Sequence, residues 1–375
     1  MRAADVLVIG AGINGLLTAL ELRRAGAAVR VLDRGAAGRG ASWAGGGILS
    51  PLHPWRHSEA VSALARWSQA RWPALAAELH EASGVDPEWW RCGLLVLGLD
   101  EDERAEARGW CGRHGLEARD ADAVPVPERA RCLADSALAD AGLWLPEIAQ
   151  VRNPRLVRAL RGAVLAAGVE LAEGRAAEAL EVRGGRVRGV RTAAGREEAG
   201  AVLITAGAWS TGLFPPGLPA PRVEPVRGQM LSWPPGAAAL ETIVLRGGHY
   251  LIPRRDGRIL CGSTVERTGL DAGTTEAGRA ELVRAAAALC PALGRAAPDA
   301  HWAGLRPAAP GGVPYIGPHP DAEGLFLNVG QYRNGVVLAP ASARLATDCL
   351  LGRPPALDPG PYAFEAPRPA EVDSV

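Results

Sequence analysis

Three glycines near the beginning of the chain, Gly10, Gly12 and Gly15, have the GxGxxG spacing of a turn that binds phosphate groups. In such a turn the first glycine allows the tight bend, the second lets a pyrophosphate approach the backbone, and the third lets a helix pack closely on a strand. Asp33 follows at the distance where a carboxylate can accept hydrogen bonds from the ribose of an adenosine. These residues predict a dinucleotide site, for which NAD and FAD are both open at this point.

A second glycine cluster, in SWAGGGILSP, favours FAD. We call Gly45 to Gly47 the glycine strip: without side chains, its backbone could pack directly against a flat ligand. Trp43 and the apolar Ile48 and Leu49 flank the strip, which is unlike a flexible surface linker. Because the strip comes one βαβ unit after the adenosine site, the isoalloxazine ring of an extended FAD would lie there. Ser42 could cap a short helix or donate to a phosphate oxygen.

The elements that must position these residues form a βαβ unit. A first strand is predicted at DVLVI, because this apolar run is typical of a parallel strand buried on both faces. A helix follows from Asn14 to about Ala25, and residues 27–33 give the next strand. A further buried strand within residues 199–210 leads to Gly207, which would let the sheet meet the cofactor again.

Near the end of the chain the pattern predicts a strand over residues 325–329, a polar glycine loop, and a helix that runs toward Gly352. The N-terminus of that helix carries free N–H groups and a partial positive charge. At the pyrimidine edge of a flavin this charge would stabilise the negative charge that develops on reduction. Pro340 is tolerated only in the first turn, so the helix is predicted to begin between Val336 and Ala339.

Composition narrows the possible functions. The chain of 375 residues, enough for about two domains, has 41 basic and 41 acidic residues without long runs of either sign. This balance argues against nucleic-acid and membrane-surface partners and favours a small molecule. Every basic residue is an arginine, so chemistry that needs a lysine, including Schiff-base formation, is excluded. The six scattered cysteines predict reduced thiols in a cytoplasmic protein and no metal site, and no apolar run predicts a membrane span.

Five segments carry a resemblance to a known family. They are GAGINGLLTALEL, ASWAGGGILSPLHPWR, GHYLIPRRDGRILCGST, GLRPAAPGGVPYIG and GQYRNGVVLAP, and they occur in the family's order over nearly the whole chain. The chain resembles the FAD-dependent amine and amino-acid oxidases of the D-amino-acid oxidase superfamily, and most closely the glycine oxidases of thiamine biosynthesis.

The resemblance implies an α/β fold, in which a Rossmann-type FAD-binding domain is joined to an α+β substrate domain built on an antiparallel sheet. The FAD-binding domain would be discontinuous, and the predicted ranges are 1–85, 150–215 and 305–365. The substrate-binding domain would take 86–149 and 216–304, with 366–375 as a C-terminal tail. The segments RVEPVRGQMLSW, TIVLRGGHYLIPR and GRILCGST suit the strands of a meander in that domain, and NPRLVRALRGAVLAAG suits a helix that returns to the FAD-binding domain.

The resemblance also implies non-covalent FAD and assigns residues to it. The predicted cofactor-binding residues are Gly10, Gly12, Ile13, Asn14, Gly15, Asp33, Arg34, Ala41, Ser42, Gly46, Gly47, Ile48, Ala177, Gly207, Gln331, Tyr332, Arg333, Asn334, Gly335, Val336 and Val337. Ala177 would contact the adenine through its backbone. Gln331 stands where family members often have histidine, a difference that bears on flavin tuning and oxygen reactivity.

An amino-acid substrate offers a carboxylate, which the fork of a guanidinium group can bind through both oxygens. By resemblance, Arg306 and Arg333 are the two carboxylate-binding arginines and Tyr250 is a hydroxyl donor to the substrate. The sequence shows no Ser/His/Asp arrangement and no paired carboxylates. Loss of a hydride from a neutral amine needs no strong base, which agrees with that absence. His249 is interpreted as a surface or packing residue.

The implied activity is oxidative deamination of glycine and other small amines or D-amino acids, with hydride transfer to FAD and reduction of oxygen to hydrogen peroxide. The implied role is to supply iminoglycine for the thiazole of thiamine, by a homo-oligomer such as a tetramer. One alternative is a D-amino-acid or amine dehydrogenase that passes electrons to a quinone or dye. Another is a dinucleotide-sensing regulatory protein, which would not require both Arg306 and Arg333. The absence of lysine and the position of Cys349 count against the sarcosine oxidases.

Overall fold

Two eight-stranded sheets organise the chain. The computed structural model describes residues 4–121, 130–134 and 142–369. Within these ranges the strands are β1 Ala4–Ile9, β2 Val29–Leu32, β3 Trp90–Arg91, β4 Leu94–Leu97, β5 Arg119–Asp120, β6 Gly142–Leu145, β7 Ala149–Gln150, β8 Glu170–Ala172, β9 Ala177–Arg183, β10 Arg186–Thr192, β11 Gly195–Ile204, β12 Glu224–Trp233, β13 Ile243–Arg246, β14 His249–Pro253, β15 Ile259–Gly262, β16 Ala300–Ala308, β17 Tyr315–Pro318 and β18 Leu325–Val329. The helices there are α1 Ile13–Arg24, α2 Ala41–Ala44, α3 Glu59–Ser83, α4 Glu101–Arg113, α5 Asn153–Ala166, α6 Glu276–Leu289, α7 Pro291–Arg295 and α8 Gly335–Leu350. None of these helices is long and apolar enough to cross a bilayer.

The first sheet has the strand order β17-β18-β11-β1-β2-β8, and β10 and β9 extend from β11. The strands β18, β11, β1, β2 and β8 pair in parallel. Val6 to Ile9 of β1 are all buried, because apolar side chains pack on both faces of the sheet. The predicted βαβ unit is confirmed, with β2 shorter than expected, and the parallel sheet with helices is the α/β fold predicted.

The second sheet has the strand order β16-β12-β15-β14-β13-β4-β6-β5 and is antiparallel except where β13 pairs with β4. The predicted meander is confirmed for β13, β14 and β15, which pair antiparallel in chain order. The segment TIVLRGGHYLIPR contributes two of these strands, since Gly247 and Gly248 separate β13 from β14. Strand β12 departs from the meander, because it pairs with β15 and β16 rather than with β13, a long-range pairing that the local pattern does not encode.

Pro340 corrects the predicted beginning of the last helix. Helix α8 begins at Gly335, so Pro340 lies in the second turn rather than the first. Neighbouring side chains satisfy the backbone groups next to the proline: Ser68 Oγ accepts a hydrogen bond of 2.9 Å from the backbone N–H of Ala341, and Trp72 donates to the carbonyl of Val337 at 3.4 Å. Packing against α3 therefore permits a proline that an isolated helix would not tolerate there.

The two sheets divide the chain unevenly. The first sheet takes its strands from residues 4–32, 170–204 and 315–329, while the second takes β4 to β6 and β12 to β16. Strand β16 runs through the boundary predicted at residue 305, and residues 370–375 of the predicted tail lie outside the described residues. The domain boundaries stay a prediction.

Candidate active site

A cavity of about 570 Å³ lies between the two sheets. Its first wall contains Ile9, Leu32 and Thr205, at or just beyond the carboxyl ends of β1, β2 and β11. Its second wall contains residues of β12, β14 and β16. Ligands of parallel α/β sheets bind beyond the carboxyl ends of the strands, so the cavity lies where a cofactor is expected.

The glycines of the first turn have distinct positions. A Cβ on Gly10, whose φ is +109°, would lie 2.4 Å from the carbonyl oxygen of Thr205, and a Cβ on Gly15 would lie 1.9 Å from that of Gly10. Gly10 and Gly12 line the cavity, whereas Gly15 lies behind them in the contact between α1 and β1. The structure thus gives Gly15 the close-packing position expected from the motif, outside the cavity wall.

Asp33 lies in the cavity wall and holds the turn together. Its carboxylate oxygens accept hydrogen bonds from the backbone N–H groups of Ala11, at 2.7 Å, and Gly35, at 2.8 Å. Burial raises the pKa of Asp33 above its usual value, while the two backbone hydrogen bonds act in the opposite direction. The motif indicated a partner for ribose but not this second function of bracing the glycine turn.

Ser42 does not cap α2, as the sequence suggested it could. Gly40 is the N-terminal cap of that four-residue helix, and Ser42 Oγ instead accepts a 2.9 Å hydrogen bond from the backbone N–H of Ile13. The bond fixes the beginning of α1 to α2 across the cavity wall that both residues line. Whether Ser42 also contacts phosphate stays a prediction.

The glycine strip is tightly held and partly exposed to the cavity, which all three of its residues line. A Cβ on Gly46 would lie 2.6 Å from Ile252 Cδ1, and a Cβ on Gly47 would lie 2.0 Å from the carbonyl oxygen of Val151. The buried Arg254 donates to the carbonyl oxygen of Gly46 at 2.8 Å and to that of Val151 at 3.0 Å.

Arg254 is a residue that the sequence analysis missed. It is 5% exposed, and desolvation by burial lowers the pKa of its guanidinium to about 10. No local signal separates it from the other arginines of the chain, because its contacts with the glycine strip join segments about two hundred residues apart.

Arg306 lines the cavity from β16 with its guanidinium fixed at two points. It donates to Ser263 Oγ at 2.6 Å and to the carbonyl oxygen of Thr264 at 3.2 Å. The guanidinium packs on Gly228, where a Cβ would lie 2.1 Å from its Nη2. Burial lowers the pKa of Arg306, and the positive charge of Arg333 lowers it further.

Tyr250 and Arg333 line the same cavity as Arg306. Tyr250 is 7% exposed, and its hydroxyl is 4.0 Å from the sulfur of Met230, a cavity residue that the sequence analysis missed. The structure therefore brings together the three predicted substrate residues, although they come from β14, β16 and the loop before α8. By contrast, His249 is outside the cavity lining and contacts Glu281 at 3.0 Å.

Most of the predicted cofactor residues line the cavity. They are Gly10, Gly12, Ile13, Asn14, Asp33, Arg34, Ala41, Ser42, Gly46, Gly47, Ile48, Ala177, Gly207, Gln331, Tyr332, Arg333, Gly335, Val336 and Val337. Besides Gly15, the exception is Asn334, which is 3% exposed and stands at the N-cap position of α8 without a side-chain cap hydrogen bond. Gln331 donates to Asn328 Oδ1 at 2.6 Å, which fixes the position of its side chain.

The lining residues fit FAD. Gly12 and Gly46 both present backbone to one continuous cavity, where a pyrophosphate and a flat ring could approach it. The N-termini of α1 and α8 also reach this cavity, where their N–H groups favour negative charge. Arg34 packs over Trp209 at 4.3 Å, so Trp209 is a further wall residue that the sequence analysis missed.

Comparison with known proteins identifies the family. The sequence model of the FAD dependent oxidoreductase family matches residues 5–349. A glycine oxidase of Pseudomonas aeruginosa is 48% identical over 96% of this chain and 98% of its own length. A crystal structure of glycine oxidase from Geobacillus kaustophilus is 30% identical, covers 97% of this chain and 99% of its own, and superposes with a TM-score of 0.90. A bifunctional protein ThiO/ThiG of Trichormus variabilis is 33% identical over 92% of this chain, which spans 52% of that protein. The resemblance and the fold class predicted from the sequence are confirmed.

Proposed function

Because this chain belongs to the FAD-dependent oxidoreductase family and is an FAD-dependent amino-acid oxidase related to glycine oxidases, we propose that it oxidatively deaminates glycine and other small amines or D-amino acids with oxygen as the acceptor. The main support is the grouping of Arg306, Arg333 and Tyr250 in the cavity that also contains the glycine strip.

In this proposal the arginines bind and orient the substrate. The guanidinium of Arg306 is already held by Ser263 and Thr264, so little freedom is lost when it pairs with a carboxylate. Arg333 adds a second positive charge to the cavity, and a bound carboxylate would offset both the burial and the repulsion by Arg333 that lower the pKa of Arg306. Tyr250 offers a hydroxyl donor in the same wall.

The titratable residues of the cavity support hydride loss from a neutral amine. Among the described residues that line it, Asp33 is the single carboxylate, and none is a histidine or cysteine. Asp33 is engaged with the glycine turn, so it is placed for ribose rather than for a substrate proton. FAD, when bound, accepts the α-hydrogen with its electron pair, and the substrate then needs orientation more than a strong base.

The overall reaction converts glycine, oxygen and water into glyoxylate, ammonia and hydrogen peroxide, with the imino acid released before hydrolysis. We propose that this imino acid supplies the thiazole of thiamine. The related bifunctional protein ThiO/ThiG supports this proposal, because it joins a ThiO part and a ThiG part in one chain. We also propose that the enzyme is a homo-oligomer. We propose the cytoplasm as its location, because the cysteines of the described residues are free, as they are in a reducing compartment.

The decisive experiment adds glycine to the purified FAD-loaded protein. Without oxygen, glycine should bleach the flavin absorbance, and in air it should yield peroxide and glyoxylate in equal amounts. Arg306→Ala should raise KM for glycine on the order of a hundredfold, whereas Arg295→Ala, which removes an exposed arginine, should not. Rapid bleaching with turnover only in the presence of a quinone or dye would refute oxygen as the acceptor, and no bleaching by any small amine would refute the proposal.

A further inference from the structure

Arg227 forms an ionic cluster next to the cavity, in which its own guanidinium is buried and the carboxylate of Asp271 is 63% exposed. It is 4% exposed, and its guanidinium donates to Glu266 at 2.6 Å and to Asp271 at 2.6 Å. The backbones of Arg227 and Glu266 are also paired, with hydrogen bonds of 2.8 and 2.9 Å. Burying a charge is costly unless it is paired, so these partners hold the segment after β15 firmly on β12.

Glu266 connects this cluster to the arginine that we assign to the substrate. Its Oε1 accepts hydrogen bonds from Thr264 Oγ1, at 2.5 Å, and from Gln229 Nε2, at 2.7 Å. Thr264 in turn offers its carbonyl oxygen to Arg306, next to the bond from Arg306 to Ser263. The acceptors that orient Arg306 therefore belong to a segment that Arg227 and Glu266 fix in place.

Asp271 connects the same cluster to the cavity wall. Leu270 and Ala272, its two neighbours, both line the cavity. Leu270 is 53% exposed, which is unusual for a large apolar side chain, and a bound ligand would remove part of that surface from water. The backbone hydrogen bonds of Asp271 to Thr268 and the bond from Gly273 to its carboxylate lie within the loop, whereas the ion pair to Arg227 joins the loop to β12.

We propose that Leu270 limits the size of the substrate side chain that the cavity accepts, and that Arg227 and Asp271 are positioning residues that hold Leu270 in the cavity wall. This inference rests on the proposed function, because it names the substrate side of the same cavity. We therefore expect the site to prefer ligands of the size of glycine, because the ion pair between Arg227 and Asp271 keeps Leu270 in place.

The test compares small and larger ligands on the FAD-loaded enzyme. Turnover is measured with glycine and D-2-aminobutyrate, and binding is measured with glycolate and D-2-hydroxybutyrate from their perturbation of the flavin spectrum. Two ratios are compared: kcat/KM for D-2-aminobutyrate over that for glycine, and the binding constant of D-2-hydroxybutyrate over that of glycolate. Leu270→Ala should raise both ratios about tenfold, and Leu270→Phe should lower them. Ratios that stay within twofold of wild type in both variants would overturn the assignment of Leu270.

The binding measurements with the two hydroxy acids distinguish a failure of this inference from a failure of the proposed function. If wild type oxidises no amine but its hydroxy-acid binding ratio responds to Leu270, the reaction is wrong and the size limit stands. If wild type oxidises glycine and neither ratio responds, the reaction stands and the size limit is wrong.

The role of the ion pair between Arg227 and Asp271 is tested with Asp271→Asn, which keeps the size of the side chain and removes its charge. The ratios should shift in the direction of Leu270→Ala by about threefold, mainly through KM, because Asp271 is partly exposed and its ion pair is correspondingly modest. The matched control is Glu224→Gln, which removes the exposed ion pair of 2.8 Å between Glu224 and Arg267 on the same loop. Equal ligand ratios in Asp271→Asn and Glu224→Gln would overturn the positioning role of the ion pair between Arg227 and Asp271.

Discussion

Substituting alanine for Gly228 would move the guanidinium of Arg306 without changing any charge. The new Cβ would lie 2.1 Å from Nη2, 2.3 Å from Cζ and 2.3 Å from Nη1 of Arg306. Ordinary van der Waals contact begins at 3.4 Å, so the planar group has to shift by about 1.3 Å. Its hydrogen bonds to Ser263 and Thr264, of 2.6 and 3.2 Å, cannot both survive such a shift.

A displacement of this size is expected to matter greatly for an oriented substrate. Misplacement by about 1 Å can cost on the order of a hundredfold in rate, corresponding to about 2.7 kcal/mol of transition-state stabilisation. We therefore expect Gly228→Ala to lower kcat/KM for glycine about a hundredfold and to weaken the binding of glycolate. Because Gly228 lies on the second wall of the cavity, FAD affinity should change by less than threefold.

The assay is steady-state peroxide release, together with titration of FAD into the apoprotein and thermal unfolding. Gly212→Ala is the matched control, since a Cβ there would meet nothing within 4 Å and the backbone does not require glycine. A Gly228→Ala enzyme that folds and keeps wild-type kcat/KM would refute the placement of Arg306 at the substrate. Loss of FAD affinity instead would show that Gly228 serves the cofactor.

Three further predictions concern stability and are checked by urea unfolding. Arg254→Met should lower the free energy of unfolding by about 3 kcal/mol, because it leaves the carbonyl groups of Gly46 and Val151 without their donor; an unchanged value would show that the buried charge costs as much as its bonds contribute. Ser68→Ala should cost about 1–2 kcal/mol through the lost acceptor for Ala341, whereas Ser58→Ala reports the loss of an ordinary helix cap. Burial lowers the pKa of both His53 and His57 from 6.5 to about 4, so the unfolded chain binds the extra protons. Stability should therefore fall as the pH decreases from about 6.5 toward 4, and the slope should be smaller in His53→Phe; an equal slope would exclude His53 as its source.

The sequence predicted the first turn well because its signals are local. Gly10, Gly12 and Asp33 belong to one βαβ unit, and that unit has a single common geometry, so spacing alone places the residues together. The hydrophobic pattern likewise gave β1 and α1 nearly to the residue. By contrast, Arg306, Arg333 and Tyr250 could be brought together only through the family resemblance, since each lies on a different element.

The features that could not be predicted from the sequence depend on contacts between distant segments of the chain. The type and position of Ser42 suggest a helix cap or a donor to phosphate, but its oxygen accepts a hydrogen bond from the backbone N–H of Ile13 in a neighbouring helix. Pro340 was placed in a first turn because an isolated helix would require it, and Ser68 of α3 removes that requirement. In both cases a partner far along the chain satisfies a backbone N–H group, and the local rule is replaced.

The position of the cavity between two sheets has a consequence for how the enzyme can vary. The glycine turn and Asp33 belong to the first wall, whereas Gly228, Tyr250 and Arg306 belong to strands of the second sheet. Those strands are joined to one another by their own ladder of backbone hydrogen bonds. Substitutions in the second wall can therefore alter the size and charge of the substrate site while the cofactor turn stays intact. Changes in substrate preference should accordingly concentrate on β12, β14, β16 and the loop around Leu270 rather than on the glycine turn.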